Sequence, residues 1–187
     1  MVLALPQRLQ TERLVLRRHQ RDDAPAIAEA LADWEVARWL ARLPIPYTLP
    51  DAVSWIRTAT RNWNQATDYQ FVVAETDDDR LIGHMGVRIE PGGTEGEFGY
   101  WFDRQVWGRG YASEAGHEIL RFAFDELGLQ RVTAVVLPDN ERSARVVLKL
   151  GLTPDGYRRQ RFDPIDATVD APVYAVTRRQ WQDLQVG

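Results

Sequence analysis

Between a strand-like segment ending at Phe102 and a helix-like segment opening near Ser113 lies Trp107-Gly108-Arg109-Gly110-Tyr111-Ala112. No other stretch has residue types and spacing that point so directly to chemistry. Amide N–H groups at a helix start lack intrahelical partners, and the helix dipole favours an anion there. Glycines let backbone approach a phosphate with no Cβ in the way. A diphosphate-bearing ligand is the natural occupant. A purely structural strand-to-helix turn is the competing reading, since glycine pairs are common at such junctions. A nucleotide P-loop would need Lys-Ser/Thr after the last glycine, where Tyr111-Ala112 stands, and a dinucleotide fingerprint would need a third glycine at Ser113. The turn also follows at least three earlier strands rather than the first.

Other chemistries find little support. With no cysteine, thiolate metal sites, disulfides and a cysteine nucleophile are excluded. His19, His84 and His117 are isolated along the chain and form no His-x-x-x-His pair, so no metal is expected. Ser54 and Ser113 have no neighbouring histidine for a hydrolase triad. The pairs Arg158-Arg159 and Arg178-Arg179 read as solvated faces, with a phosphate or an acidic tail as the alternative.

The elements that must position the turn follow from pattern. Leu14-Val15-Leu16 is a first strand, and Asp22 and Asp23 cap a helix bearing Ile27, Ala30 and Leu31. A Trp- and Pro-rich stretch, 34–50, precedes a helix restarted by Asp51 and carrying Val53, Trp55, Ile56 and Ala59. Residues 69–74 and 81–87 form a hairpin around Thr76-Asp77-Asp78-Asp79. A strand over 97–102, the glycine turn, and a helix from Ser113 to Leu127 ended by Gly128 come next. Strand 131–136, a helix capped by Asn140 and ended by Gly151, and a strand around 172–176 complete the pass.

The 187 residues, 44% hydrophobic and 27% charged, fit a single globular α/β domain without repeats or linkers. A net charge of −4 offers no basic field for nucleic acid. The N-terminal Met1–Arg8 stretch is too short for a signal-peptide core, and no apolar run approaches the ~18 residues of a bilayer span. A cytoplasmic protein, monomer or homodimer, without membrane or nucleic-acid partners, is the expectation.

Glu97-Phe98-Gly99-Tyr100-Trp101-Phe102-Asp103, the turn from Trp107 to Ala112 and Ser113-Glu114-Ala115 resemble the core of the GCN5-related N-acetyltransferases (GNAT), and more closely their Rim-type branch. Thr11-Glu12-Arg13-Leu14-Val15-Leu16-Arg17, Asn140-Glu141-Arg142-Ser143-Ala144-Arg145 and Leu150-Gly151-Leu152 also match, so the resemblance covers residues 8–182 in the expected order. It implies one domain over 1–187 with a central mixed, mostly antiparallel twisted sheet flanked by helices. It also implies acetyl transfer from acetyl-CoA to a primary amine by direct attack in a ternary complex. The acceptor would be a protein N-terminus or a small molecule; a non-catalytic acyl-CoA sensor or scaffold is the alternative class.

The family pattern Gln/Arg-x-x-Gly-x-Gly/Ala fits in two registers. One starts at Gln105. The other starts at Trp107 and is preferred, because a short connector should separate strand from loop. By resemblance, backbone groups of Tyr100, Trp101 and Phe102 pair with the pantetheine arm, and an N–H of Trp101 or Phe102 stabilises the carbonyl oxygen. Amides from Trp107 through Gly108, Arg109, Gly110, Tyr111, Ala112 and Ser113 hold the diphosphate, and Asn140 contacts the pantetheine. Glu97 is the candidate base, directly or through water; an ordinary glutamate near pKa 4.3 is a weak one, so burial beside Trp101 would help. A plain solvent-facing glutamate is the other reading. Many relatives carry a tyrosine acid where this chain has Val147, and the branch resolves this with the serine that is Ser143 here. Ser143 could instead simply satisfy a helix start. Trp34, Trp39, Tyr47 and Trp55 could bracket an acceptor or pack the core, and Tyr157 could face the acceptor.

Overall fold

Strands form where β-branched and aromatic residues are dense or alternate with polar ones. They are β1 (Arg8–Gln10), β2 (Leu14–Arg17), β3 (Asp68–Glu75), β4 (Leu81–Ile89), β5 (Glu95–Phe102), β6 (Arg131–Val135), β7 (Thr153–Phe162) and β8 (Ala167–Thr177). The computed structural model describes residues 5–186; Met1–Ala4, which open the N-terminal apolar stretch, and Gly187 lie outside it. The strands make one eight-stranded sheet in the order β1-β2-β3-β4-β5-β6-β8-β7. Every pairing is antiparallel except β5 with β6. The mixed, mostly antiparallel sheet expected from the sequence is the one observed.

Six helices cover it: α1 (Ala24–Ala32), α2 (Trp34–Ala37), α3 (Leu49–Asn64), α4 (Tyr111–Arg121), α5 (Glu141–Lys149) and α6 (Arg178–Val186). One core packs Leu14, Leu16, Phe71, Met85 and Phe98 of the sheet against Ile119 and Phe122. The α6 residue Trp181 joins it, 5.9 Å from Phe124 between ring centroids. A second core on the opposite face holds Ile27, Leu31, Val36 and Ile56 of α1–α3 against Trp101. A third, smaller cluster sets Leu137, Phe162 and Ala171 against Trp39 and Ala41.

Several boundaries differ from the expectation for identifiable reasons. Asp23 precedes α1 but makes no cap hydrogen bond to it. Its carboxylate accepts instead from Arg17 at 3.0 and 2.9 Å, a buried pair joining β2 to α1. Thr48, not Asp51, caps α3, with Asp51 as the reciprocal member of a capping box. The stretch 34–50 contains the short α2, capped by Asp33. Helix α4 opens at Tyr111 rather than Ser113, then widens into a π turn over Phe122–Glu126 before Gly128 (φ +73°) stops it. Strand β7 was not anticipated: it is a polar, exposed edge strand with no apolar alternation to reveal it. Strand β1 is too short to give a pattern.

Candidate active site

The site is built where the sheet opens. Strands β5 and β6 pair only from Glu95/Arg131 to Glu97/Thr133. Beyond that, β5 continues to Phe102 against β4 and β6 continues to Val135 against β8. The divergence leaves one edge of β5 without a strand partner, facing a cleft of about 1000 Å³. An extended amide-bearing chain can add to such an edge as a strand would. The Phe102 carbonyl is already used, accepting from Trp107 Nε1 at 2.9 Å. Of the residues singled out in the sequence, the cleft is lined by Glu97, Tyr100, Trp101, Phe102, Trp107, Gly108, Gly110, Tyr111, Ala112, Ser113, Asn140 and Ser143. Arg109 is exposed and is not part of the lining.

The glycine turn closes one end. A 3₁₀ turn, Arg104–Val106, capped by Asp103, forms the connector after β5, which places Gln105 in the connector rather than in the loop. Gly108 (φ +79°) and Gly110 (φ +83°) both adopt left-handed backbone, and Gly110 directly precedes the first residue of α4. Among the described residues, the amides of Gly108, Arg109 and Gly110 donate to no protein acceptor. Those of Tyr111 and Ala112 open the helix and have no acceptor one turn earlier. The turn is held by a brace that composition alone did not reveal. Glu114 of α4 accepts from Thr11 Oγ1 at 2.5 Å, from the Arg13 amide at 2.9 Å and from Arg13 Nε at 2.7 Å. Arg13 also donates to the Arg109 carbonyl (3.1 Å) and lies over the Tyr111 ring. The matched Thr11-Glu12-Arg13 segment carried the signal, but its partner is 101 residues away.

At the other wall, Asn140 caps α5 by accepting from the Ser143 amide at 3.1 Å. Ser143 Oγ makes no cap bond; it accepts from Tyr100 Oη at 2.9 Å. Burial pushes the Tyr100 phenol up to about 12, so it stays a donor at any ordinary pH. Ser143 therefore keeps its own proton available to the cleft while its oxygen is polarised by a phenol. Val147 is fully buried in the core, so the position where relatives carry a tyrosine is used here for packing.

Glu97 is half-buried and already paired. Its carboxylate accepts from Arg88 Nη2 at 3.0 Å and from Arg158 Nη2. Arg158 of β7, read from sequence as a solvated charge, reaches the Glu97 carboxylate. The lateral register aligns Asp68, Arg88 and Glu97 side by side on β3, β4 and β5. Burial holds the Asp68 carboxyl above its ordinary range, opposed by hydrogen bonds from Gln70 and Asn62 and by Arg88.

Trp39, Tyr47 and Trp55 line the cleft, whereas Trp34 is exposed. Tyr157 is 77% exposed and does not line it. Arg178 donates to the Leu129 carbonyl instead of facing a ligand. His19 and His84, isolated in sequence, meet in space with ring centroids 5.3 Å apart against Trp55. Among the described residues no group of three or more potential ligands could hold a metal, and no helix is long and apolar enough to cross a membrane. The Asp163 amide donates to the Ala41 carbonyl at 2.9 Å, joining the β7–β8 turn to the loop after α2, whose Ala41 lines the cleft.

Residues 13–153 match the acetyltransferase (GNAT) domain. The chain is 31% identical to an uncharacterized N-acetyltransferase, YoaA, of Bacillus subtilis, covering 91% of this chain and 96% of that one. Its fold superposes on a GNAT-family acetyltransferase from Bacillus anthracis with a TM-score of 0.79 at 26% identity, over 92% of this chain and 99% of that one. Mycobacterium smegmatis RimJ, solved in complex with CoA-disulfide, shares the fold with a TM-score of 0.79 at 20% identity, over 92% and 89% of the two chains. The chain belongs to the GCN5-related N-acetyltransferase family. It transfers an acetyl group from acetyl-CoA to an amine.

Proposed function

We propose that the cofactor enters along the free edge of β5 with its diphosphate on the amides from Gly108 to Ala112, the Ser113 amide being already donated to the Gly110 carbonyl at 3.1 Å. The acceptor amine would approach from the α1–α3 face, and the two substrates would react directly in a ternary complex. The observation that carries this reading is the divergence of β5 and β6 beside a left-handed glycine turn. The amine nitrogen attacks the thioester carbonyl carbon and the carbon–sulfur bond breaks. The acceptor ammonium gives up two protons in all; Ser143 supplies one to the departing thiolate and is reprotonated at the expense of one of those two, so that one proton is released net. A backbone N–H at Trp101 or Phe102 stabilises the carbonyl oxygen. The carboxylates of Asp68 and Glu97, on either side of the Arg88 guanidinium, take up the amine's protons, Glu97 standing on the strand beside the divergence and Asp68 raised by burial towards a better proton acceptor.

Two features favour a small amine with an apolar body over a folded protein's N-terminus as acceptor. The Ala41–Asp163 hydrogen bond ties a cleft-lining residue to the β7–β8 turn, and the aromatic side chains of Trp39, Tyr47, Trp55 and Phe162 line the cleft. The reaction belongs in the cytoplasm, where acetyl-CoA is available. A thiol-release assay with acetyl-CoA against arylalkylamines, amino acids and short peptides tests this reading. Turnover with arylalkylamines and none with peptides is expected; the reverse order overturns the acceptor assignment. Glu97→Gln should lower turnover more than about tenfold with little change in CoA affinity, and unchanged turnover removes it from the proton path.

A further inference from the structure

Three lateral rows cross β3, β4 and β5 on the face covered by α1–α3. The first is Asp68, Arg88 and Glu97; the second is Gln70, Gly86 and Gly99; the third is Val72, His84 and Trp101. Rows one and three stand about 7 Å to either side of the glycine row along each strand. The two glycines therefore leave a furrow between a charged wall and an aromatic one. The Gln70 amide fills the Gly86 end, its Oε1 2.5 Å from where a Gly86 Cβ would stand. The Gly99 end is open: a Cβ built there meets nothing within 4 Å.

The orientation of Gln70 is fixed by its neighbour. Its Nε2 donates to the Asp68 carboxylate, which turns Oε1 away from Asp68. That oxygen is shielded from solvent and has no hydrogen-bond partner among the described residues. A buried acceptor without a donor is unfavourable, so a ligand that brings an N–H to it gains affinity which an aliphatic isostere does not. Glu97, two residues before Gly99 on the same face, is already paired with Arg88 and Arg158, so the Gln70 oxygen is the unpaired acceptor beside the furrow.

We infer that the furrow over Gly99 is the seat of the acceptor's amino group, with Gln70 Oε1 as the hydrogen-bond acceptor that recognises it. Asp68 is the positioning residue that holds the Gln70 amide over Gly86 with Oε1 turned away from Asp68. The chemistry selected is a primary amine whose apolar body lies toward Trp101 and Trp55. This assignment rests on the acetyl-transfer reading and adds to it the residues that choose an amine.

Calorimetry with a conjugate separates the two. The probe is CoA carrying –CH2–CO–NH–CH2CH2–phenyl on its sulfur, compared with CoA alone, on wild type, Gly99→Ala, Gly99→Val and Gln70→Met. Wild type should bind the conjugate at least tenfold more tightly than CoA. Gly99→Val should bind both alike, at the wild-type affinity for CoA, with Gly99→Ala in between, because side chains of increasing size fill the furrow. Gln70→Met should lose most of the gain and keep CoA binding. Unfolding temperatures and circular dichroism confirm that each variant is folded. Full retention of the gain in Gly99→Val, or no gain in wild type, overturns the seat. Failure of wild type to bind CoA at all counts instead against the acetyl-CoA reading.

Discussion

Tyr100 and Ser143 are 43 residues apart, yet their hydroxyls are 2.9 Å apart. The phenol is raised to about 12 by burial, so it stays protonated and donates to the serine oxygen. Ser143→Ala removes the donor to the thiolate and should lower turnover more than about tenfold while CoA affinity stays near wild type. Tyr100→Phe leaves the serine in place but unpolarised and should lower it less. Steady-state thiol release with calorimetry for CoA checks both; equal turnover in wild type and Ser143→Ala removes the serine from the chemistry. The serine was identified by resemblance, but the phenol that supports it was assigned only a backbone role. Strand alternation sends its side chain to the face opposite Glu97, and only the packed sheet shows what waits there.

At the scale of elements, the site depends on a turn that only glycine adopts without strain and on a brace that holds it. Gly110 has φ +83° immediately before α4, and its Cβ position lies 3.6 Å from Arg13 Nη2. A valine there would strain the backbone by about 1–3 kcal/mol and occupy the path of an anion to the helix start. Gly110→Val should remain folded by circular dichroism and lose CoA binding by calorimetry. Unchanged affinity would move the diphosphate elsewhere. The Trp107 register of the family pattern agrees with this geometry, since the 3₁₀ connector takes up Gln105. Trp107, where relatives carry Gln or Arg, uses its indole to hold the Phe102 carbonyl and lies under the Arg142 guanidinium, 4.2 Å from the ring centroid. The side chain that departs from the pattern thus ties the turn to β5 and to the start of α5.

The whole molecule carries a pH dependence that no single element predicts. Burial lowers His19 to about 3, and His84 well below its ordinary 6.5; each ring nitrogen Nε2 is shielded and without a partner among the described residues. Unfolded, both would bind a proton below about pH 6.5, whereas the folded chain keeps them neutral. Stability is therefore full above that pH and falls as pH drops through it, by about 1 kcal/mol per histidine at pH 5.5. The unfolding temperature should fall between pH 7.5 and 5.5, and His19→Leu with His84→Leu should flatten that fall. An equal fall in the double variant would assign it to carboxylates instead.

By itself, the sequence determined the strands of the central hairpin, the glycine turn, the Asn140 cap and the family, because these are local: each rests on residues within a few positions of one another. The fold class came with the family, and of the catalytic and cofactor-binding residues expected in the site all but Arg109 line the cleft. The edge strand β7 was not, because a solvent-facing strand needs no apolar alternation, and with it Arg158 was left as a surface charge. Tertiary structure alone decided that Glu97 lies between two arginines, that Tyr100 faces Ser143, that Arg13 braces the turn through Glu114, and that Gln70 leans over Gly86 beside an open Gly99. Each of these is a meeting of side chains set by sheet register and by the point at which two parallel strands part. Register is a property of the assembled sheet and is written in no single segment.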